Sequence, residues 1–197
     1  LGLVFTLQSR PTLLEFGAVS WMPSMVSISI VREIGPVIIA LICTGRISSG
    51  IGAELGSMRV TEQIDAMEVS GTNPFKYLVV TRIMAATLIL PLLIIFGDAI
   101  ALFGSALVEN LKGNVSFLLY FNKVFDALKF SDIIPATIKS FFFGFAIGLV
   151  GCFKGYNCKK GTVGVGEASN SAVVYTSMLL FIIDFIAVFI SDIFFEI

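Results

Sequence analysis

Apolar residues along the chain gather into runs too long for the alternating pattern of a soluble helix or strand. Four such runs, roughly 24–45, 80–105, 133–153 and 172–194, each hold about 20 residues with few charges, and the opening LGLVFTLQ is a shorter run of the same kind. About 20 residues at 1.5 Å per residue match the ~30 Å hydrocarbon thickness of a bilayer. Backbone N–H and C=O groups find no water there, so spans of this length and composition must be helices. The pattern predicts an all-α membrane protein: a bundle of about five transmembrane helices, the first represented only by its end, forming a single integral domain over residues 1–197. LGLVFTLQSRP has no basic start and no small-residue cleavage site, so it is read as the end of a helix begun earlier rather than as a signal peptide.

The polar stretches between the runs differ in kind. In GAELGSMRVTEQIDAMEVSGTNP, Glu54, Ser57, Thr61, Asp65 and Glu68 fall on one arc at 100° per residue, with Val60, Ile64 and Met67 on a neighbouring stripe. This predicts a short amphipathic helix outside the membrane core, closed by Gly71 and Pro74. Residues 109–132 are polar with interspersed aromatics, and KGYNCKKGTVGVGEASN reads as a Gly-rich basic loop. One span separates these two, so they belong on opposite sides of the bilayer. Lys154, Lys159 and Lys160 favour the cytoplasm for the Gly-rich loop, and alternation then puts residues 46–79, with Arg46, Arg59 and Lys76, on the same side. No internal repeat interrupts this plan.

Composition narrows the function classes. Charged residues are 14% of the chain against about 25% in an ordinary soluble domain, which leaves no stretch long enough for a soluble catalytic domain. The net charge is -1 and the 13 Lys and Arg are scattered, which argues against a nucleic-acid partner. There is no histidine, no phosphate-binding loop and no nucleophile elbow; GIGAELG has the wrong spacing for a dinucleotide loop. Cys43, Cys152 and Cys158 fit no metal spacing and read as small buried residues. The chain is therefore expected to be no enzyme and to need no cofactor, its work driven by a partner or an ion gradient.

Two sets of charges lie inside the apolar runs. In SISIVREIGPVIIALIC, Arg32 and Glu33 sit mid-span and are followed by Gly35 and Pro36. Pro36 has no N–H for the carbonyl of Arg32, so the helix should bend where the charges are. Adjacent residues on a helix point about 100° apart, so each charge is expected to need another partner, a cavity or another subunit; insertion at this depth costs about 2.5 to 3.5 kcal/mol per charge. The second set is Asp98, Lys139 and Asp184, each alone in its span. All three lie roughly 9 to 15 Å deep by residue count, so the lysine can pair with either aspartate, as a structural ion pair or as part of a relay. Gly144, Gly148 and Gly151 share one helix face and suit close packing, within one chain or between two. The amphipathic helix 54–69 carries an acidic arc that repels anionic lipid and suits a basic protein partner.

The stretch REIGPVIIALICTGRISSGIGAELGSMRVTEQIDAMEVSGTNPFKYLVVTR, residues 32–82, resembles the signature block of the MlaE (YrbE) family, the permease subunits of MCE-type lipid ABC transporters, and GLVGCFKGYNCKKGTVGVGEASNSAVVYTSMLLFIIDF, residues 148–185, resembles a second block. The resemblance implies a homodimeric permease of a bacterial inner membrane. It would bind a cytoplasmic ABC ATPase and work with an MCE-domain lipid-binding protein on the outer side to move phospholipid or a related lipid. It implies that Arg32, Glu33, Gly35 and Pro36 border the lipid cavity, and that Glu54, Met58, Arg59, Glu62, Gln63, Asp65 and Met67 form the coupling helix on the ATPase. Lys139 and Asp184 match charged positions inside the bundle. Of the family's N-terminal interfacial helix and first span this chain keeps LGLVFTLQ, and Glu167 and Ser171 stand where relatives often carry basic residues. The competing readings are a gradient-driven secondary transporter or ion channel using the intramembrane charges, and a scaffold that only anchors an ATPase.

Overall fold

The computed structural model describes residues 1–195, and among these every regular element is helical. In chain order the elements are α1 (Gly2–Glu15), a 3-10 turn (Val19–Trp21), α2 (Met22–Ser29), α3 (Gly35–Cys43), α4 (Ser49–Val60), α5 (Gln63–Val69), α6 (Thr81–Gly113), α7 (Phe117–Ala127), α8 (Phe130–Tyr156) and α9 (Thr162–Phe195). Wider π-helical turns at Ile30–Ile34, Thr44–Ser48 and Phe75–Val80 join α2 to α3, join α3 to α4, and open α6. Four helical runs are long and apolar enough to cross a membrane, at 19–60, 75–113, 130–156 and 162–193, in agreement with the four runs of the sequence. Their outward side chains are large and apolar: Leu88, Phe96, Phe181 and Phe185 are all more than half exposed, as lipid-facing residues are.

The chain divides into two compact units, one of Leu1–Ile39 with Leu93–Ile138, the other of Ala40–Leu92 with the residues from Lys139 onward. In the first, α1 and α6 touch at Gly2 and Ala101, at Thr6 and Ser105, and at Arg10 and Glu109. A constant offset over successive turns means that these two helices run parallel. Thr6 Oγ1 donates to Gly2 O at 2.8 Å, so the 2.6 Å contact with Ser105 Oγ must be donated by Ser105, which in turn accepts from Tyr120 Oη at 2.7 Å. Around this chain of hydroxyls pack Met22, Val26 and Ile30 with Ala101, and Tyr120 and Val124 with Ala106.

The second unit is held by small residues. Ser48 and Thr176 meet at 3.0 Å and Ser49 and Ser169 at 2.8 Å, fastening α4 and the turn before it to α9. On α8, a Cβ added at Gly144 would lie 2.6 Å from Ala86 O, and one at Gly148 2.9 Å from Ile83 Cα; Gly151 approaches Ser48 O to 3.1 Å by the same measure. The glycine face of α8 is therefore used within the chain, which settles the choice left open by the sequence pattern. Below it Leu55, Ile64, Leu78, Val79 and Cys152 form a common apolar core.

Three connections differ from expectation. The amphipathic helix over 54–69 is two helices, because Glu62 takes a left-handed conformation (φ 58°) and ends the ladder after Val60. Residues 109–132 contain α7, whose N-terminus is capped by Ser116 Oγ accepting from Leu119 N at 3.3 Å. The Gly-rich loop is short: α9 begins at Thr162, because Gly164 and Gly166 are tolerated within a helix that packing holds.

We predict that Gly144→Ala destabilises the fold by about 1 to 3 kcal/mol through overpacking against the α6 backbone. Gly166→Ala, whose added methyl would meet no atom within 4 Å, should instead stabilise α9 by roughly 0.5 to 1 kcal/mol, alanine being the better helix former. Denaturant titration of both variants in micelles checks this.

Candidate functional site: a charged turn within a membrane span

Arg32 and Glu33 lie on the π-helical turn Ile30–Ile34, inside the first membrane-length run. The wide turn lies immediately ahead of Pro36, whose missing N–H removes one rung of the ladder. The bend expected from the sequence thus takes the form of a local widening. Arg32 Nε and Glu33 Oε1 approach only to 3.9 Å, so the two adjacent groups neutralise each other weakly. At 23% and 35% exposure, the pair is partly sunk among apolar neighbours and partly open.

Gly35 and Pro36 are buried directly beyond the turn. No side chain fits at Gly35, because a Cβ there would strike Asp98 Oδ1 and lie 2.7 Å from Ile30 O. The buried carboxylate of Asp98 on α6 thus rests against the bare backbone of Gly35, and both belong to the first unit. Sequence reasoning grouped Asp98 with Lys139 and Asp184. Within the first unit Asp98 lies beside the charged turn, and within the second Lys139 Nζ pairs with Asp184 Oδ1 at 3.0 Å, one of the two aspartates that the sequence offered it. Lys139 is 4% exposed, so this short pair supplies a partner for a cation that membrane burial would otherwise heavily penalise.

The segment singled out for coupling is split in its exposure. Glu62, Gln63 and Asp65 are exposed on α5 and the joint before it. Met58 and Met67 instead pack on the core of Leu55, Ile64 and Leu78, where their apolar stripe is covered by their own chain. Arg59 Nη1 holds Asp65 Oδ1 at 2.5 Å and lies 5.9 Å from the Tyr156 ring centroid. Glu54 Oε1 is bound by Arg82 Nη2 at 2.6 Å, and Arg82 also donates to Leu78 O at 3.0 Å. Sequence reasoning missed this pair, and it missed Arg10 with the fully buried Glu109 at 2.6 Å. In neither case does local spacing signal it, since the partners lie 28 and 99 residues apart. Outside the spans, partial burial and then the Glu167 carboxylate raise the Cys158 thiol above its ordinary pKa. Among the described residues no group of His, Cys, Asp and Glu is arranged to hold a metal ion.

A polytopic helical membrane protein with charges built into its spans and an acidic helical segment between two of them has the form of a transporter's membrane subunit. The sequence profile of the family described as Permease MlaE matches residues 1–190, and the chain belongs to that family. It is 40% identical over 185 residues to a "Probable ABC transporter permease protein" of Rickettsia typhi, covering 94% of this chain and 71% of that protein. It is 34% identical over 184 residues to a protein of the same description from Synechocystis, covering 93% and 70%. It is also 34% identical over 195 residues to the chloroplast protein TRIGALACTOSYLDIACYLGLYCEROL 1 of Arabidopsis thaliana, covering 99% and 55%. The chain is thus an integral-membrane permease subunit of a lipid-transport ABC system, and an inner-membrane location fits its bacterial relatives.

If Lys139 and Asp184 serve the fold, Lys139→Asp and Asp184→Lys should each lower the yield of folded protein. The double swap should restore most of it. Detergent-stable yield by size-exclusion chromatography is the measurement; a double variant no better than the singles would remove the structural role.

Proposed function

We propose that Arg32 and Glu33, on the π turn ahead of Gly35 and Pro36, border the path of a phospholipid or related lipid at the face between two copies of this chain. A cytoplasmic ATPase would bind the α4–α5 segment and drive the cycle, and an MCE-domain protein on the opposite side would exchange the lipid. ATP hydrolysis then belongs to the partner. The observation that carries this reading is the half-open charged pair inside an apolar span. A lipid has tails that need apolar walls and a phosphate headgroup that needs polar contacts, and Arg32 and Glu33 supply these where Ile, Val and Leu supply the walls. A 3.9 Å pair is long enough for the guanidinium to exchange its partner for a passing phosphate.

The relative named for trigalactosyldiacylglycerol supports a lipid as cargo, and the ABC permease relatives support a separate ATPase. The exposed Glu62, Gln63 and Asp65, two of them acidic, support α5 as its seat. Lys154, Lys159 and Lys160, on the same side as α4 and α5 by alternation, support a cytoplasmic position for that end.

Arg32→Ala and Glu33→Ala should each reduce lipid transfer between vesicles by tenfold or so while leaving the complex assembled, since a charge-assisted contact is worth about 1.5 to 3 kcal/mol. Wild-type transfer in both variants defeats the assignment. Glu62→Lys should lower co-purification of the ATPase several-fold without unfolding the permease, because Glu62 is exposed; full recovery of the ATPase argues for another seat.

A further inference from the structure

We propose that the cleft between the end of α8 and the start of α9 binds the phosphate headgroup of a membrane phospholipid, at a site separate from the charged turn. The cleft has a volume of about 540 Å³, and its wall includes Lys154, Asn157, Lys159, Glu167, Ser171 and Val174. Two ammonium groups face one carboxylate, so the cleft carries a net positive charge that favours an anionic guest.

The placement of these charges matters more than their number. Lys154 Nζ is 3.7 Å from the centroid of the Tyr175 ring, which holds the ammonium at the cleft wall. Lys159 meets Glu167 only at 3.7 Å, with side chains 84% and 62% exposed, a contact weak enough for a phosphate to replace. The lining is also graded along α9. Glu167 and Ser171 lie toward its start, with Lys159 on the connection just before it, while Val174 lies further into the membrane-length run. A polar mouth whose inner end on the spanning helix is Val174 suits an amphiphile whose phosphate sits at the interface and whose glycerol end points inward. Free phosphate would use only the mouth.

The site does not depend on Arg32 and Glu33, so the two assignments can fail separately. It also contains its own reporter, because Cys158 lines the same cleft. The permease chain, purified in micelles, would be treated with a maleimide at fixed pH, and Cys158 modification followed by peptide mass spectrometry with Cys43 and Cys152 left native. Phosphatidylglycerol added to the micelles is expected to slow modification, whereas diacylglycerol should not. Lys159→Gln and Lys154→Gln should each raise the lipid needed for half-protection by about fivefold, and Arg32→Ala should not. Lys159 is on an exposed connection, so its variant remains informative if Lys154→Gln misfolds. Protection by inorganic phosphate but not by the phospholipid overturns the lipid assignment. Absence of protection, or protection that both lysine variants retain in full, overturns the site.

Discussion

Helices in a bilayer gain little from burying apolar side chains against one another, since the surrounding lipid is as apolar as the neighbouring helix. What holds them is close approach and hydrogen bonding between atoms that have no water to turn to. In this chain the constraint is met by hydroxyl and glycine contacts. Ser48 with Thr176 and Ser49 with Ser169 fasten one pair of helices, Gly144 and Gly148 lie on the α6 backbone, and Thr6, Ser105 and Tyr120 form a chain of donors in the first unit. Many large apolar side chains, Leu88, Phe96, Phe181 and Phe185 among them, point outward, where a soluble protein would expose polar ones.

The same constraint explains where charges are tolerated. Lys139 and Asp184 meet at 3.0 Å and Arg10 and Glu109 at 2.6 Å, and each of these pairs joins two helices. Arg32 and Glu33 belong to one short turn and meet only at 3.9 Å. That contrast separates charges that tie two helices together from a contact made within one turn, and it is why the proposal gives Arg32 to the cargo.

The membrane runs were legible in the sequence because hydropathy over 20 residues averages out local detail. The amphipathic rhythm of 54–69 was legible too, but its break was not, since Glu62 is neither Gly nor Asn, the usual residues of a left-handed joint. Helix α7 was passed over although Phe117, Tyr120, Phe121 and Val124 follow helical spacing behind the capping Ser116; Asn122, Lys123 and the polar residues flanking the run masked it. The Gly-rich stretch after Tyr156 was read as a loop because glycine propensity describes an isolated helix, whereas α9 is held through Ser169 and Thr176 by Ser49 and Ser48, far away in sequence. For the site, Arg32, Glu33, Gly35 and Pro36 stood out by chemistry alone. Asp98 could not be assigned to them, because helix rotation and neighbour order are not encoded in any single span.

Three π-helical turns interrupt the spans, at Ile30–Ile34, Thr44–Ser48 and Phe75–Val80. Such a turn accommodates a surplus residue in an otherwise regular ladder. The helix on either side keeps its orientation, and the surplus is absorbed locally. The charged stretch before Gly35 is therefore free to lengthen or shorten by one position in evolution without rotating the lipid-facing and packed faces of the rest of the span. A permease built this way can retune what its interior presents to cargo while the bundle around it stays in register.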